Sequence, residues 1–274
     1  MKPDDAHLLP IGAQLLTVSG IRAAQRFTTQ DWVAEEVPVA LEFNGISHAV
    51  MLATPDNLED FALGFALSEG ILASRHELFD IEQHMSSAGI TMQLRVSSAA
   101  FARLKDRRRS MAGRTGCGLC GTESLEHVIR DLPALPDSPS IAASAISSAM
   151  IALHAQQHLQ HATGAVHAAA WCTNEGAVAM VREDVGRHNA LDKLIGALAG
   201  ENALDAKSGF VAITSRASVE MVQKTVSAGI PLLAAVSAAT SLAVATALET
   251  NLTLAGFVRN QDLVIYAHPG RVAL

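Results

Sequence analysis

The pattern of apolar and polar positions changes character near the middle of the chain. Strand-like runs at 37–43 and 46–52 flank Asn44-Gly45, a strong hairpin signal. Thr54-Pro55-Asp56 then opens a predicted helix with Leu58, Phe61, Ala62 and Phe65 on one face and Gly70 at its end. Residues 81–83 and 90–96 read as two more strands, which makes this half α+β. Residues 1–30 have mixed polarity and no clear period, and read as a loosely attached arm. A polar, Arg- and Gly-rich stretch follows at 101–121, then helical spacing at Leu125, Val128, Ile129 and Leu132.

Beyond a proline-rich linker at 131–140, strands and helices alternate. Helices are predicted at 141–160, 187–199, 219–228 and 240–248. Strands are predicted at 165–172, 178–181, 210–214, 231–236, 252–257 and 263–267. Such alternation implies a largely parallel sheet covered on both faces. The expected fold class is α/β, with a main domain over 141–274 and a smaller N-terminal α+β part over 1–130. No internal repeat is visible.

Composition narrows the function classes. With 274 residues, 49% of them hydrophobic, the chain can bury a sizeable core. A net charge of -7 argues against general nucleic-acid binding, which needs a basic field. Residues 230–248 carry no charge and approach a membrane-spanning length. Their Ala, Ser and Thr content and Pro231 fit a buried strand and helix better, so no membrane segment is expected. Three cysteines are too few for a disulfide scaffold, and the first residues lack the pattern of a secretory signal. A cytoplasmic location is the expectation, and there a Cys-x-x-Cys pair is usually catalytic or metal-binding.

Cys117 and Cys120 lie in the run Gly-Cys-Gly-Leu-Cys-Gly, 116–121. The glycines give backbone freedom and allow close approach by another molecule. A helix start at Thr122 or Ser124 and the cations Lys105, Arg107, Arg108, Arg109 and Arg114 would all favour a thiolate. The loop is therefore read as a mobile, basic carrier of a nucleophilic sulfur. A structural zinc site needs two more ligands; no second Cys-x-x-Cys exists, though two of the eleven histidines could serve. Thioredoxin-like redox chemistry would place the pair after a strand in a βαβ unit, which the polar stretch does not supply. Zinc deaminase chemistry fits poorly, because Ala169 stands where His167 should be followed by a glutamate, and Gly116 where a proline is needed.

Two strand-to-helix junctions carry further candidate chemistry. Residues 183–193 hold Glu183, Asp184, Arg187, His188, Asn189, Asp192 and Lys193, denser in polar groups than a helix cap needs, and so favoured as a site. At 214–218, hydroxyls, free amides and Arg216 suit an anion. Glu220 and Lys224 are spaced for a surface pair. Near the C-terminus, 256–262 is a polar turn, with a low functional expectation from spacing alone. Cys172 and His167 lie in an apolar strand; Cys172 is taken as structural, and a lone strand histidine is usually a core residue.

Taken in order, 116–121, 164–171, 182–196, 215–235 and 252–266 resemble the FdhD family of formate dehydrogenase accessory sulfurtransferases. The resemblance covers most of the chain after about residue 35. It implies a deaminase-like three-layer fold for 141–274. It also implies sulfurtransferase activity: sulfur received from a cysteine desulfurase, held as a cysteine persulfide, and passed to bis(molybdopterin guanine dinucleotide) molybdenum cofactor for formate dehydrogenase. By motif position Cys117 would carry the persulfide with Cys120 assisting. Cofactor contacts would fall on Phe257, Val258, Arg259, Asn260, Gln261 and Asp262, where Asp262 replaces the arginine usual near the end of this turn. To these the chemistry of a large anion adds Arg216, Arg187 and His188. The cofactor would be bound as substrate, with no permanent metal, and the apolar C-terminal helices fit a homodimer.

Overall fold

The computed structural model describes residues 11–110, 130–201 and 208–274, with no side chains beyond Asp106 in the first of these segments. The chain opens with a hairpin of β1 (Ala13–Arg22) and β2 (Gln25–Ala34), antiparallel in unbroken register. Over 13–34 the expected loose arm is therefore a paired hairpin, while residues 1–10 of that expectation lie outside the described residues. The turn is made by Ala23 and Ala24, both at positive φ (49° and 63°), where sequence reasoning looks for Asn-Gly.

The hairpin leads into a four-stranded sheet in the order β4-β3-β6-β5. Its strands are β3 (Val37–Phe43), β4 (Ile46–Ala53), β5 (Leu78–Ser86) and β6 (Gly89–Val96). Asn44 and Gly45, at φ 46° and 80°, form the expected turn. Helix α1 (Leu58–Ser68) lies against this sheet, packing Phe61, Ala62 and Phe65 on Leu41, Phe43, Met92 and Leu94. It ends as predicted, with Gly70 left-handed at φ 67° just past Glu69. Helix α2 (Ser98–Ser110) follows, so 105–110 are helical rather than part of a loop. Ala100 and Leu104, four apart, are fully buried, and Ala, Arg and Lys are strong helix formers.

The second half holds a six-stranded sheet in the order β13-β12-β11-β10-β8-β9. The predicted helix 141–160 divides into β7 (Ile141–Ala142), α3 (Ala143–Ala155) and α4 (His158–Thr163), interrupted at the polar pair Gln156-Gln157. Then follow β8 (His167–Thr173), β9 (Val178–Asp184), α5 (Arg187–Gly200) and β10 (Gly209–Ile213). After these come α6 (Val219–Ser227), β11 (Leu232–Ala235), α7 (Ser241–Glu249), β12 (Thr253–Arg259) and β13 (Asp262–Ala267). A two-residue β14 (Val272–Ala273) pairs with β7. Layers of α3 on one face and α5, α6 and α7 on the other enclose the sheet, which meets the three-layer expectation. The sheet is mixed rather than largely parallel. Only β10-β11 and β11-β12 are parallel pairs, because tight hairpins join β8 to β9 and β12 to β13. The uncharged run 230–248 is a strand and a helix, and among the described residues no helix is long and apolar enough to cross a membrane.

The two halves meet where α1 crosses α5. A Cβ on Gly64 would stand 1.7 Å from the Asp192 carbonyl oxygen, and one on Gly196 1.8 Å from that of Asp60. Backbone therefore touches backbone, and only glycine fits at either position. The linker segment 131–140 contains no helix or strand, yet it is fastened to the second half. Leu135 N–H bonds the Thr250 carbonyl at 2.8 Å, and Asp137 pairs with Arg271 at 2.7 Å.

Candidate functional site

Strands β9, β10, β11 and β12 all point the same way, and α5, α6 and α7 follow the first three. Three helix N-termini therefore stand along one end of the sheet, each presenting unpaired amide N–H groups and the positive end of its dipole. The connecting segments are zipped together. Ala217 N–H bonds Ala238 O, Thr240 N–H bonds Ala217 O, and Phe257 N–H bonds Ser237 O, each at 3.1 Å. Arg259 Nε bonds the Val236 carbonyl at 3.2 Å.

Most of the predicted contact residues gather on this end. Arg187 is the first residue of α5 and His188 the second; Arg216 is exposed after β10. Phe257 sits at a break in the β12-β13 register with φ 51°, which turns its ring outward to 42% exposure. Asn260, Gln261 and Asp262 lie exposed at the hairpin tip, with Asn260 left-handed at φ 54°. Val258 departs from expectation. Its side chain is fully buried in the core under α3 and cannot touch a ligand. The segment 236–240 was not singled out in the sequence; its Ser237 and Thr240, following a strand, were the available signal. Thr240 caps α7 by accepting from Ala243 N–H.

The polar density of 183–193 has a different meaning from the one its sequence implied. Asp184 and Lys193 form a fully buried pair at 2.7 Å. Asp184 also accepts from Thr54 N–H (3.0 Å), Gly186 N–H (2.8 Å) and Asn189 Nδ2 (2.9 Å). Lys193 donates to the carbonyls of Thr54 and Glu183. Glu183 accepts from the first amides of α4, and Arg182 pairs with Asp60. These groups satisfy one another and tie β4 to the β9-α5 junction. Only Arg187 and His188 are left facing the sheet end.

Lys224 is likewise no surface residue. It is buried against both carboxylate oxygens of Asp192 (2.9 and 3.0 Å), Glu69 (2.9 Å) and the Ser68 hydroxyl (3.0 Å). Burial pushes the Asp192 carboxyl up to about 6 against the pull of Lys224. Burial would lower Lys224, but Asp192 and Glu69 outweigh it and raise its pKa. Glu220 points instead to His188, 4.0 Å away. Burial of Glu220 is outweighed by local hydrogen bonds and by His188 and Arg187, which hold its carboxyl low.

The His188 imidazole is pushed down to about 4 by burial, with Arg187 and Lys224 adding to the effect. Its Nε2 and the Arg187 Nε–H are buried, and neither has a hydrogen-bond partner among the described residues. A base depressed in the fold stabilises fully above its unfolded pKa and loses that contribution as pH falls toward the folded value. Asp192, raised in the fold, works in the opposite direction between 3.8 and about 6. His188→Gln should therefore flatten the loss of stability between pH 6.5 and 4, read as the urea midpoint at each pH. An unchanged slope would show that His188 titrates as in the unfolded chain.

Cys117 and Cys120, with Arg114 and the glycines around them, lie outside the described residues. Cys172 is a free, buried thiol on β8, as expected. Among the described residues no cluster of three or more His, Cys, Asp or Glu could hold a metal.

Comparison with known proteins supplies the lineage. The chain is 65% identical over 272 residues to a sulfur carrier protein FdhD of Variovorax paradoxus (strain S110), covering 99% of this chain and 98% of that one. It is 59% identical to a protein of the same name from Cupriavidus necator, covering 93% and 88%. A crystal structure from Desulfotalea psychrophila, described as that of a candidate formate dehydrogenase accessory protein, superposes with a TM-score of 0.75. It shares 23% identity over 95% of this chain and 99% of its own, which shows a common fold. The FdhD/NarQ family model matches residues 34–273. The chain belongs to the FdhD/NarQ family.

Proposed function

We propose that this protein is a sulfurtransferase serving formate dehydrogenase. It would take sulfur from a cysteine desulfurase as a persulfide on Cys117 and deliver it to bis(molybdopterin guanine dinucleotide) molybdenum cofactor. The names of its relatives support a sulfur-carrying role, and the description of its structural neighbour supports the link to formate dehydrogenase. The observation that carries the cofactor half of the reading is the sheet end itself. Arg187, Arg216 and Arg259, three helix N-termini and an outward-facing aromatic ring line one surface, which suits a substrate with two pyrophosphates and stacking bases.

The uptake step is a thiolate exchange. Cys117 sulfur attacks the terminal sulfur of the donor persulfide, a new S–S bond forms, and the donor leaves as thiolate. Release of that sulfur as sulfide takes two electrons. Cys120 can supply them by closing on Cys117 as a disulfide, which a cellular thiol later reduces. The reading is tested by intact-mass spectrometry after incubation with a cysteine desulfurase and cysteine. A sulfur-sized adduct is expected. Its absence would leave a protein that binds the cofactor without carrying sulfur.

A further inference from the structure

The hairpin of β1 and β2 stands apart from the protein's cores. Over 13–34 no residue is fully buried and none joins a core cluster, although Leu15, Leu16, Ile21, Phe27, Trp32 and Val33 are large and apolar. Side chains alternate between the faces of a strand. Leu15 pairs with Trp32 on one face of the ribbon, and Gly20 with Phe27 on the other. A hairpin resting on its own core would keep its apolar groups to one face. Two strands alone are only marginally stable in water, so this arm is built to be enclosed by another surface. Apolar groups on both faces suit a groove better than a flat contact.

The far end of the arm is ordered in advance. Phe27 lies over Gly20, where a Cβ would stand 2.5 Å from the ring, and the Arg22 guanidinium sits 5.1 Å from the same ring's centre. Gln30 Nε2 donates to Thr17 Oγ1 at 2.9 Å and ties the strands midway. Ile21, paired with Arg26, is 73% exposed. The tip, 20–28, holds Arg22 and Arg26 and no acid, in a chain of net charge -7. Such a tip is complementary to an acidic partner.

The root of the arm lies beside the charged sheet end. Gly12 packs on Thr54, whose N–H bonds Asp184 and whose hydroxyl accepts from Val185 N–H, just before α5. Ten residues in each strand carry the tip about 33 Å from this root. A protein that takes the cofactor from the sheet end therefore stands within reach of the arm. The family match starts at residue 34 and leaves the arm outside it.

We propose that the β1-β2 arm is the docking element for the formate dehydrogenase apoenzyme, seated in an apolar groove with an acidic rim on that protein. The proposal rests on the sulfur-delivery reading above and gives its acceptor a place to bind.

The experiment measures binding of the full chain to purified, immobilised formate dehydrogenase apoenzyme by interferometry. Sedimentation velocity and the sulfur adduct are followed alongside. Ile21→Glu should weaken binding at least about tenfold. Arg22→Glu/Arg26→Glu should weaken it similarly, mainly through slower association, and should reduce its dependence on salt. Met85→Glu, at an exposed apolar position on β5, should bind as wild type. Every variant should still form the sulfur adduct, which shows that each is folded. If both arm variants bind the apoenzyme as wild type does, the arm assignment is overturned. It is also overturned if they turn a dimer into a monomer with binding intact, since the arm then holds a second copy. Loss of the adduct in the arm variants alone would assign the arm to the sulfur donor instead. If wild type forms the adduct but does not bind the apoenzyme, the docking proposal falls while the carrier reading stands. If wild type forms no adduct, the carrier reading itself fails.

Discussion

Cys117→Ala should abolish the sulfur adduct and, in cells lacking their own copy, reduce formate dehydrogenase activity to background. The chemistry leaves no substitute for a nucleophile that must hold the cargo. Cys172 cannot stand in. Burial pushes its thiol up to about 12 against a hydrogen bond from Ala212, so it is neutral and inaccessible under assay conditions. Cys172→Ala should therefore match wild type in both measurements. Cys120→Ala separates the steps. If Cys120 supplies the electrons for release, that variant should accumulate the adduct yet fail to activate the dehydrogenase. An adduct that survives in Cys117→Ala would relocate the carrier and remove the basis of the mechanism.

Lys193→Met should be the most damaging substitution away from the cysteines, costing about 3 kcal/mol of folding stability. It strands the Asp184 carboxylate, fully buried, without its cation. Asp184 keeps its three N–H donors, which places the loss at the lower end of the range for broken buried pairs. Urea denaturation reads the effect as a lowered midpoint. The double variant Asp184→Asn/Lys193→Met should recover part of the loss, because no unpaired charge is then left inside. Equal losses in single and double variants would mean that the pair contributes through packing alone.

Much of the second half was legible because strong apolar runs alternate with clear caps and breaks, as at 210–214 or 240–248. What failed had local physical causes. The first hairpin turns on two alanines, so its signal is absent from composition. The sheet's mixed direction depends on which connections are tight turns, which hydrophobic periodicity does not report. The site was half legible. Arg187, Arg216, Phe257 and Arg259 carried recognisable chemistry, and topology brought them together. Lys224 looked like a surface residue because its spacing to Glu220 fits one, but α1 packs over α6 and supplies Ser68 and Glu69 from far away in sequence. No pattern within one helix could reveal that. Asp184 and Lys193 misled in the opposite direction, since polar groups that satisfy one another look in sequence like groups awaiting a ligand.

The glycine-to-glycine crossing of α1 and α5 has a consequence for how the molecule can be divided. Because main chain rests on main chain at Gly64 and Gly196, the first half is no detachable module despite having its own sheet and core. A protein nicked by protease within 131–140 should elute as one particle under native conditions and separate only in denaturant. The two halves expressed apart would each expose a helix face that neither can cover alone. In such a molecule the half that leads into the cysteine segment and the half that bears the charged sheet end are inherited, folded and lost together.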